Sequence, residues 1–245
     1  GEWGMGRMTE PEKIVKALED AFCRNLILSG TRALITSGPT YETIDPVRYL
    51  ANRSSGKQGH AIAAALAHLG SRSTLVSGPT SQPNPVGVEI IKVESAAQMF
   101  EACMESLPTD IAVLAAAVSD WRPKLVPRRK IKKVRGKKPP SLSLEENPDI
   151  LSCLSQPGKL RPQLVVGFAA ETDNILENAK SKRTSKGCDW IVANDVSPEL
   201  GTFTGDTNTV HLITQDGIED WPQLSKSAVA ERLANHIAKA LTLTA

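Results

Sequence analysis

Ile111-Ala112-Val113-Leu114-Ala115-Ala116-Ala117-Val118 is an unbroken apolar run that gives way to Ser119-Asp120-Trp121-Arg122-Pro123. A strand without polar alternation is buried on both faces, which belongs to the middle of a parallel sheet covered by helices on either side. The run also falls far short of the roughly 20 apolar residues that cross a bilayer. Working outward, residues 33–36 form a short apolar strand halted by Ser37-Gly38-Pro39-Thr40, a turn cluster that continues neither helix nor ladder. A long irregular segment then extends to about Gly56.

Helical spacing over residues 57–69 places Ile62, Leu66 and Leu69 on one stripe, with His60 and His68 pointing away from it. Strands at 73–77 and 89–93, a helix at 96–107 and further strands at 164–168 and 190–193 continue the alternation. A helix over 175–186 stops at Gly187, a strand follows at 210–214, and Val229, Leu233, Ile237 and Leu241 mark a closing helix. Pro11, Ile14, Val15, Leu18 and Phe22 give an amphipathic helix over 11–24. Strand and helix taking turns predict an α/β fold with a doubly wound, mostly parallel, Rossmann-like sheet.

Composition sets the outer limits. The 245 residues are 40% apolar and 23% charged, with 17 Gly and 16 Pro, which excludes fibrous and disordered chains. The four cysteines stand singly at 23, 103, 153 and 188, with no spacing for a disulfide framework or zinc, so a reducing cytoplasm is expected. The chain starts with Gly rather than Met, which suggests a piece of something longer, with residues 1–12 a tail and 13–245 the domain. Net charge is +2, yet residues 121–144 hold ten Lys or Arg and no acid, leaving 19 basic and 27 acidic residues elsewhere, a net −8. Arg128 to Lys138 is therefore either a solvated run or a mobile lid that leaves a central strand.

Ligands of such sheets gather beyond the carboxyl ends of the strands. Asn52-Arg53-Ser54-Ser55-Gly56-Lys57-Gln58-Gly59 opens a helix there. Ser54 or Ser55 could cap it, or Gly56 and Gly59 could let backbone N–H groups cradle a phosphate. A dinucleotide fingerprint is absent, since the first turn is SGPT and the second strand ends without an acid; a P-loop is absent, since Gln58 follows Gly56-Lys57. Three alanines, 115–117, leave room for a ligand or for a packed helix, and Asp120 could take ribose hydroxyls, organise a metal or serve as a turn residue. Asn147-Pro148-Asp149-Ile150 caps a short helix. Phe168 could face a nucleobase or fill core, Lys182 and Lys186 share a helix face, and Asn194 ends a strand. No strand end offers a Ser/His/Asp or Cys/His set.

Together these segments resemble the phosphopantothenoylcysteine synthetases in their bacterial form: SGPTYETIDPVRYLANRSSGKQG (37–59), AAAVSDWRP (115–123), KIKK (130–133), NPDI (147–150), VGFAAET (166–172) and IVANDVS (191–197) occur in family order. Gln58 departs from the Met common in that family. The leading GEWGMGRMTEPEKI resembles the end of the flavin-dependent decarboxylase fused upstream in bacterial members. The resemblance implies a ligase that joins 4′-phosphopantothenate and L-cysteine through an acyl-cytidylate made from CTP with Mg²⁺. Ser54, Gly56 and Gly59 would hold the triphosphate, Lys130 would close over it, and Asn52 would orient the reacting carboxylate. Ala116, Ala117 and Asp120 would line a shared substrate and nucleotide wall. Asn147, Pro148, Asp149, Ile150, Phe168, Lys182, Lys186 and Asn194 would embrace the nucleotide. A homodimer is implied, with residues 196–214, including Phe203, as a pairing element. An NAD(P)-binding oxidoreductase is the rival on the same sheet. A nucleic-acid-binding module on the basic loop is a second, opposed by the lack of an aromatic between Arg122 and Leu144.

Overall fold

Along the central strands, successive side chains are buried on opposite faces of one sheet. Ala33, Ile35, Ile111, Val113 and Val166 join one cluster, while Leu34, Ala112, Leu114, Val165 and Ile191 join the other. This period-two burial on both faces is what the apolar run at 111 predicts. The computed structural model describes residues 9–15, 26–133, 136, 138–196 and 205–243. The expected first helix is helical over 11–15, and its remainder lies outside the described residues. Among them, no helix is long and apolar enough to cross a membrane.

The sheet strands are β1 (Arg32–Ser37), β4 (Arg72–Ser77), β5 (Val88–Lys92), β6 (Ile111–Leu114), β9 (Leu164–Glu171), β10 (Trp190–Asp195), β12 (Val210–Ile213) and β13 (Ile218–Asp220). Their order is β13-β12-β10-β9-β6-β1-β4-β5. The six from β10 to β5 are parallel, and β12 and β13 add an antiparallel edge. The helices are α1 (Lys57–His68), α2 (Ala96–Glu105), α3 (Ile150–Ser155), α4 (Ile175–Lys186) and α5 (Lys226–Leu243). Ile62 and Leu66 of α1 and Val229, Leu233 and Ile237 of α5 cover one face. Met99 and Cys103 of α2, Ile150 and Leu154 of α3, and Ala179 of α4 cover the other. The expected fold class is thus the observed one.

The differences from the sequence reading are local. The segment expected to be irregular holds a hairpin of β2 (Glu42–Asp45) and β3 (Arg48–Leu50), whose Tyr41 and Tyr49 rings stack with centroids 3.9 Å apart. The apolar run leaves the sheet at Ala115 instead of continuing to Val118. There the Ala116 N–H donates to Thr36 Oγ1 (3.2 Å), the Ala117 N–H to the Gly38 carbonyl (2.9 Å), and the Ser119 N–H to Thr40 Oγ1 (3.0 Å). Beyond Ser37 the neighbouring strand has become the SGPT turn, so the alanines hydrogen-bond to a turn and form a wall. A further pair, β7 (Trp121–Pro123) and β8 (Leu144–Glu146), spans the base of the basic loop. The closing helix starts at Lys226, a turn before its apolar stripe, after the short pair β11 (Thr207–Asn208) and β14 (Leu224–Ser225).

Helix α3 lies close on β9 because Gly167 has no side chain: a Cβ there would stand 2.6 Å from Leu151 Cδ2 and 2.8 Å from Ile191 Cδ1. Both are flexible side-chain ends, so overpacking, at about 1–3 kcal/mol, outweighs the few tenths of a kcal/mol to about 1 kcal/mol gained when Gly becomes Ala in the unfolded chain. Gly167→Ala should lower stability by about 1 kcal/mol and Gly167→Val by about 3 kcal/mol, read as shifts in the urea midpoint at constant slope.

Candidate functional site

The strands are added to one side of β1 by β4 and β5, and the chain then crosses to the other side at β6. The loops after β1 and β6 therefore part at the carboxyl edge of the sheet, which is where a crevice must open. A cleft of about 920 Å³ lies there, large enough for a nucleotide.

Its floor is the start of α1. Gly56, the N-cap, has φ +73 and makes no side-chain cap, so the expected serine cap is replaced by a left-handed glycine. Ser54 Oγ instead accepts from the Gly56 N–H at 3.3 Å. The carbonyls are drawn inward: that of Gly56 accepts from Ser37 Oγ at 2.8 Å, and that of Ser55 from Thr80 Oγ1 at 2.8 Å. The helix's leading N–H groups are left without a side-chain acceptor, the arrangement that favours an anion. Gly59 lets the helix sit on β1, since a Cβ there would lie 2.5 Å from both Cβ and Oγ of Ser37.

His60 corrects the expectation that it faces away. It is 7% exposed, with Nδ1 2.9 Å from Ser37 Oγ and 3.0 Å from the Gly56 carbonyl. Burial lowers its pKa, opposed by the hydrogen bond to Gly56. The neutral imidazole is thus part of the floor. It supports the loop from behind residues that line the cleft and does not itself line it.

Ala116, Ala117, Asp120 and Asn52 line the middle of the cleft. Asn52 Nδ2 donates to the Val118 carbonyl at 2.9 Å, which ties the cradle to the alanine wall and leaves its other N–H and its oxygen for a ligand. On the α3/α4 side, Asn147 spends its side chain structurally, with Nδ2 donating to the Ser119 carbonyl (2.8 Å) and Oδ1 accepting from Arg122 (3.2 Å). Asp149 caps α3 through the Ser152 N–H and pairs with Lys186. Burial pushes its carboxyl up, but Lys186 and the Ser152 N–H outweigh this and lower the pKa. The Lys182 ammonium is lowered by burial first, with Glu171, Asp120 and Asp149 opposing. Pro148, Ile150, Phe168 and Asn194 also line the cleft, as do Ser54, Gly56 and Gly59. Phe168 also packs against the core, so it borders both the cleft and the core.

Lys130 alone of the expected site residues stands outside the lining. Its neighbour Ile131 is gripped by the hairpin: the N–H donates to Asp45 Oδ2 at 3.1 Å, and the carbonyl accepts from Arg48 at 2.8 Å. Asp45 is 1% exposed and also accepts the N–H groups of Val47 (2.8 Å) and Arg48 (3.0 Å). Burial pushes the Asp45 pKa up, yet the N–H groups of Val47, Ile131 and Arg48 and the Arg48 charge bring it down. No local pattern signals this contact, which joins residues 86 apart. Lys57 and Gln58 of the cradle stretch also line the cleft, and so do Asn208 and Lys226, to which no sequence signal points. Lys226 precedes the apolar stripe that marks its helix, and Asn208 lies in the stretch 196–214 expected to be a pairing element. Of that stretch, 197–204 with Phe203 lies outside the described residues, and Val210–Ile213 is internal to the sheet.

The chain matches the family described as DNA/pantothenate metabolism flavoprotein C-terminal domain over residues 28–241. It is 43% identical over 238 residues to the coenzyme A biosynthesis bifunctional protein CoaBC of Vibrio cholerae, covering 97% of this chain and 59% of that protein. The same protein of Bacillus subtilis is 43% identical over 243 residues, with 97% and 59% covered. The chain thus spans under two thirds of the length of these relatives. A crystal structure of the C-terminal domain of CoaBC superposes with a TM-score of 0.72 at 38% identity, covering 88% of this chain and 98% of that one.

Two outcomes are expected. Asp45→Ala removes a carboxylate-to-N–H bond worth about 1.5–3 kcal/mol, so trypsin should cut at residues 128–133 about tenfold to a hundredfold faster while the rest of the chain resists as before; equal rates would show that Ile131 is not held. Because His60 has a lowered folded pKa, its contribution is full above the unfolded value of about 6.5 and is lost as pH falls through the folded one. The wild type should lose stability over that acid range, and His60→Gln should flatten the pH dependence of its urea midpoint there.

Proposed function

The chain belongs to the DNA/pantothenate metabolism flavoprotein C-terminal domain family, and on that premise we propose that it joins 4′-phosphopantothenate to L-cysteine at the expense of CTP, a step of coenzyme A synthesis. The observation that carries the reading is the meeting, at one topological switch point, of an uncapped helix start, an alanine wall and a pair of lysines facing acidic partners, with no nucleophile and base set among the cleft-lining residues.

The substrate carboxylate oxygen attacks the α-phosphorus of CTP, and the bond to the bridging oxygen breaks to release pyrophosphate. The cysteine amine then attacks the acyl carbon, CMP departs with the bonding pair, and the amine's proton goes to solvent. Both steps ask for alignment and dispersal of negative charge rather than for a protein nucleophile. Gly56, Gly59 and Ser54 supply the cradle for the triphosphate. Asn52, steadied by Val118, orients the carboxylate with a neutral amide that does not lock the ground state in an ion pair. Ala116, Ala117 and Asp120 form the shared wall. Asp149, Lys182 and Lys186, with Pro148, Ile150, Asn147, Phe168 and Asn194 around them, hold the nucleoside end. Lys130 closes over the phosphates on the segment hinged at Ile131.

Mg²⁺ would arrive with the nucleotide and neutralise phosphate charge. Among the described residues no cluster of three His, Cys, Asp or Glu forms a cage. That suits an ion bound mainly through phosphates and water with a single carboxylate, a part Asp120 fits. The reading also includes a cytoplasmic setting, a flavin-dependent decarboxylase upstream in the whole protein, and a homodimer. The exposed Val47, Tyr49 and Trp121 on adjoining hairpins support such pairing.

Mass spectrometry of a mixture of the protein, CTP, Mg²⁺, cysteine and 4′-phosphopantothenate should show the amide product together with CMP and pyrophosphate, with much less when ATP replaces CTP; no product from CTP would end this reading. Asn52→Asp should cut product formation by about a hundredfold or more with folding intact, because a second carboxylate repels the reacting one. Lys130→Gln should slow pyrophosphate release, and an unchanged rate would remove the flap from the reaction.

A further inference from the structure

The cleft straddles the sheet edge, and its two walls differ in charge. On the α3/α4 side, Lys182 and Lys186 face Asp120, Asp149 and Glu171, so charge is balanced. On the α1/α5 side, two helices that pack on the same face each begin with a lysine, Lys57 and Lys226, and both lysines line the cleft. Neither helix has an acid in its first turn. Cations there oppose the positive end of each helix dipole, an arrangement that an anion would relieve.

Three further observations meet at this wall. Asn208 also lines it; it is 5% exposed, and its side-chain oxygen is buried without a hydrogen-bond partner among the described residues. Half a rotation of that amide exchanges oxygen for N–H. Lys226 is 9% exposed, and its ammonium is lowered by burial first and by Lys57 next, with Asp206 opposing. Asp206 lies against both helix starts: its carboxylate is 2.6 Å from Lys57 Nζ with the side chain 85% exposed, and its carbonyl accepts the Lys226 N–H at 2.9 Å. An exposed carboxylate in a surface ion pair is weakly held. A phosphate that reaches two ammonium groups and helix N–H groups is held more firmly.

We propose that Lys57, Lys226 and Asn208, with the first turn of α1, form a phosphate subsite in which the Asp206 carboxylate is a placeholder that the phosphate displaces. The identity of the phosphate's owner rests on the ligase reading, which supplies two candidates: the outer phosphates of the nucleotide, which leave as pyrophosphate, and the phosphate monoester of the acid.

Isothermal titration of the whole chain with inorganic pyrophosphate tests the subsite without any turnover. Lys226→Met and Lys57→Met should each weaken binding by about tenfold. Asp206→Ala should tighten it by about two- to fivefold, a sign that misfolding cannot produce. Two arms identify the owner. If Lys226→Met abolishes the preference for 4′-phosphopantothenate over pantothenate, the acid's phosphate sits there; if it abolishes the preference for CTP over CMP, the nucleotide's tail does. Affinities for pyrophosphate and for 4′-phosphopantothenate that are unchanged in correctly folded Lys226→Met and Asp206→Ala overturn the proposal. Charge-dependent pyrophosphate binding in a protein that makes no product from CTP would sink the ligase reading and leave the subsite standing.

Discussion

A parallel sheet extended in both directions from its first strand must separate the connections that leave its two central strands, and here those are the segments after β1 and β6. Everything in the cleft follows from that parting. The two segments diverge but stay stitched together, through Ala117 N–H to the Gly38 carbonyl and Ser119 N–H to Thr40 Oγ1. Backbone groups buried at the mouth of a crevice have to find partners, and these bonds satisfy them while fixing the alanine wall against the cradle. Asn52 repeats the device one layer further out by holding the Val118 carbonyl.

Within this frame the charged groups are sorted by wall. Lysines on the α4 face meet carboxylates from three other segments, which matches a neutral sugar and base that need hydrogen bonds more than net charge. The opposite wall carries a lysine at the start of each of two helices, with the exposed Asp206 as their acidic neighbour, which matches phosphate. Because no nucleophile and base set stands among the cleft-lining residues, the proposed chemistry depends on holding two reactants in line, and fixed dipoles in a partly desolvated cleft contribute most to that. His60 fits this division: desolvated beneath the floor, it stiffens a loop and stays neutral.

The basic segment acquires a definite anchor. A carboxylate as buried as Asp45 is costly unless its lone pairs are filled, and one of its donors is the main chain of Ile131. The same hairpin runs directly into Asn52, so the flap's hinge and the amide proposed to orient the carboxylate share one rigid support. A cationic run that reads as solvated surface in composition is thereby tied, at one residue, to the chemistry-bearing part of the fold.

Much of this was legible in the residues. The unbroken apolar strand, the alternation of periods and the Gly187 stop pointed to the sheet and its layers, because burial on two faces leaves no polar alternation and glycine readily takes the left-handed conformation that ends this helix. The Ser-Gly cradle, the alanines, Asp120, Phe168 and the Lys182–Lys186 pair could be named because each follows a strand, and strand ends converge. Tertiary structure alone decided what depends on contacts between distant segments. It set the departure of the apolar run at Ala115, which requires a neighbouring strand to have ended. It seated His60 beneath Gly56, where a helix packs on a particular turn. It also joined Asp45 to Ile131 and brought Lys226 and Asn208 to the same cleft as Lys57. Local periodicity reports which face of an element is buried; which partner meets that face is fixed only when the whole chain has folded.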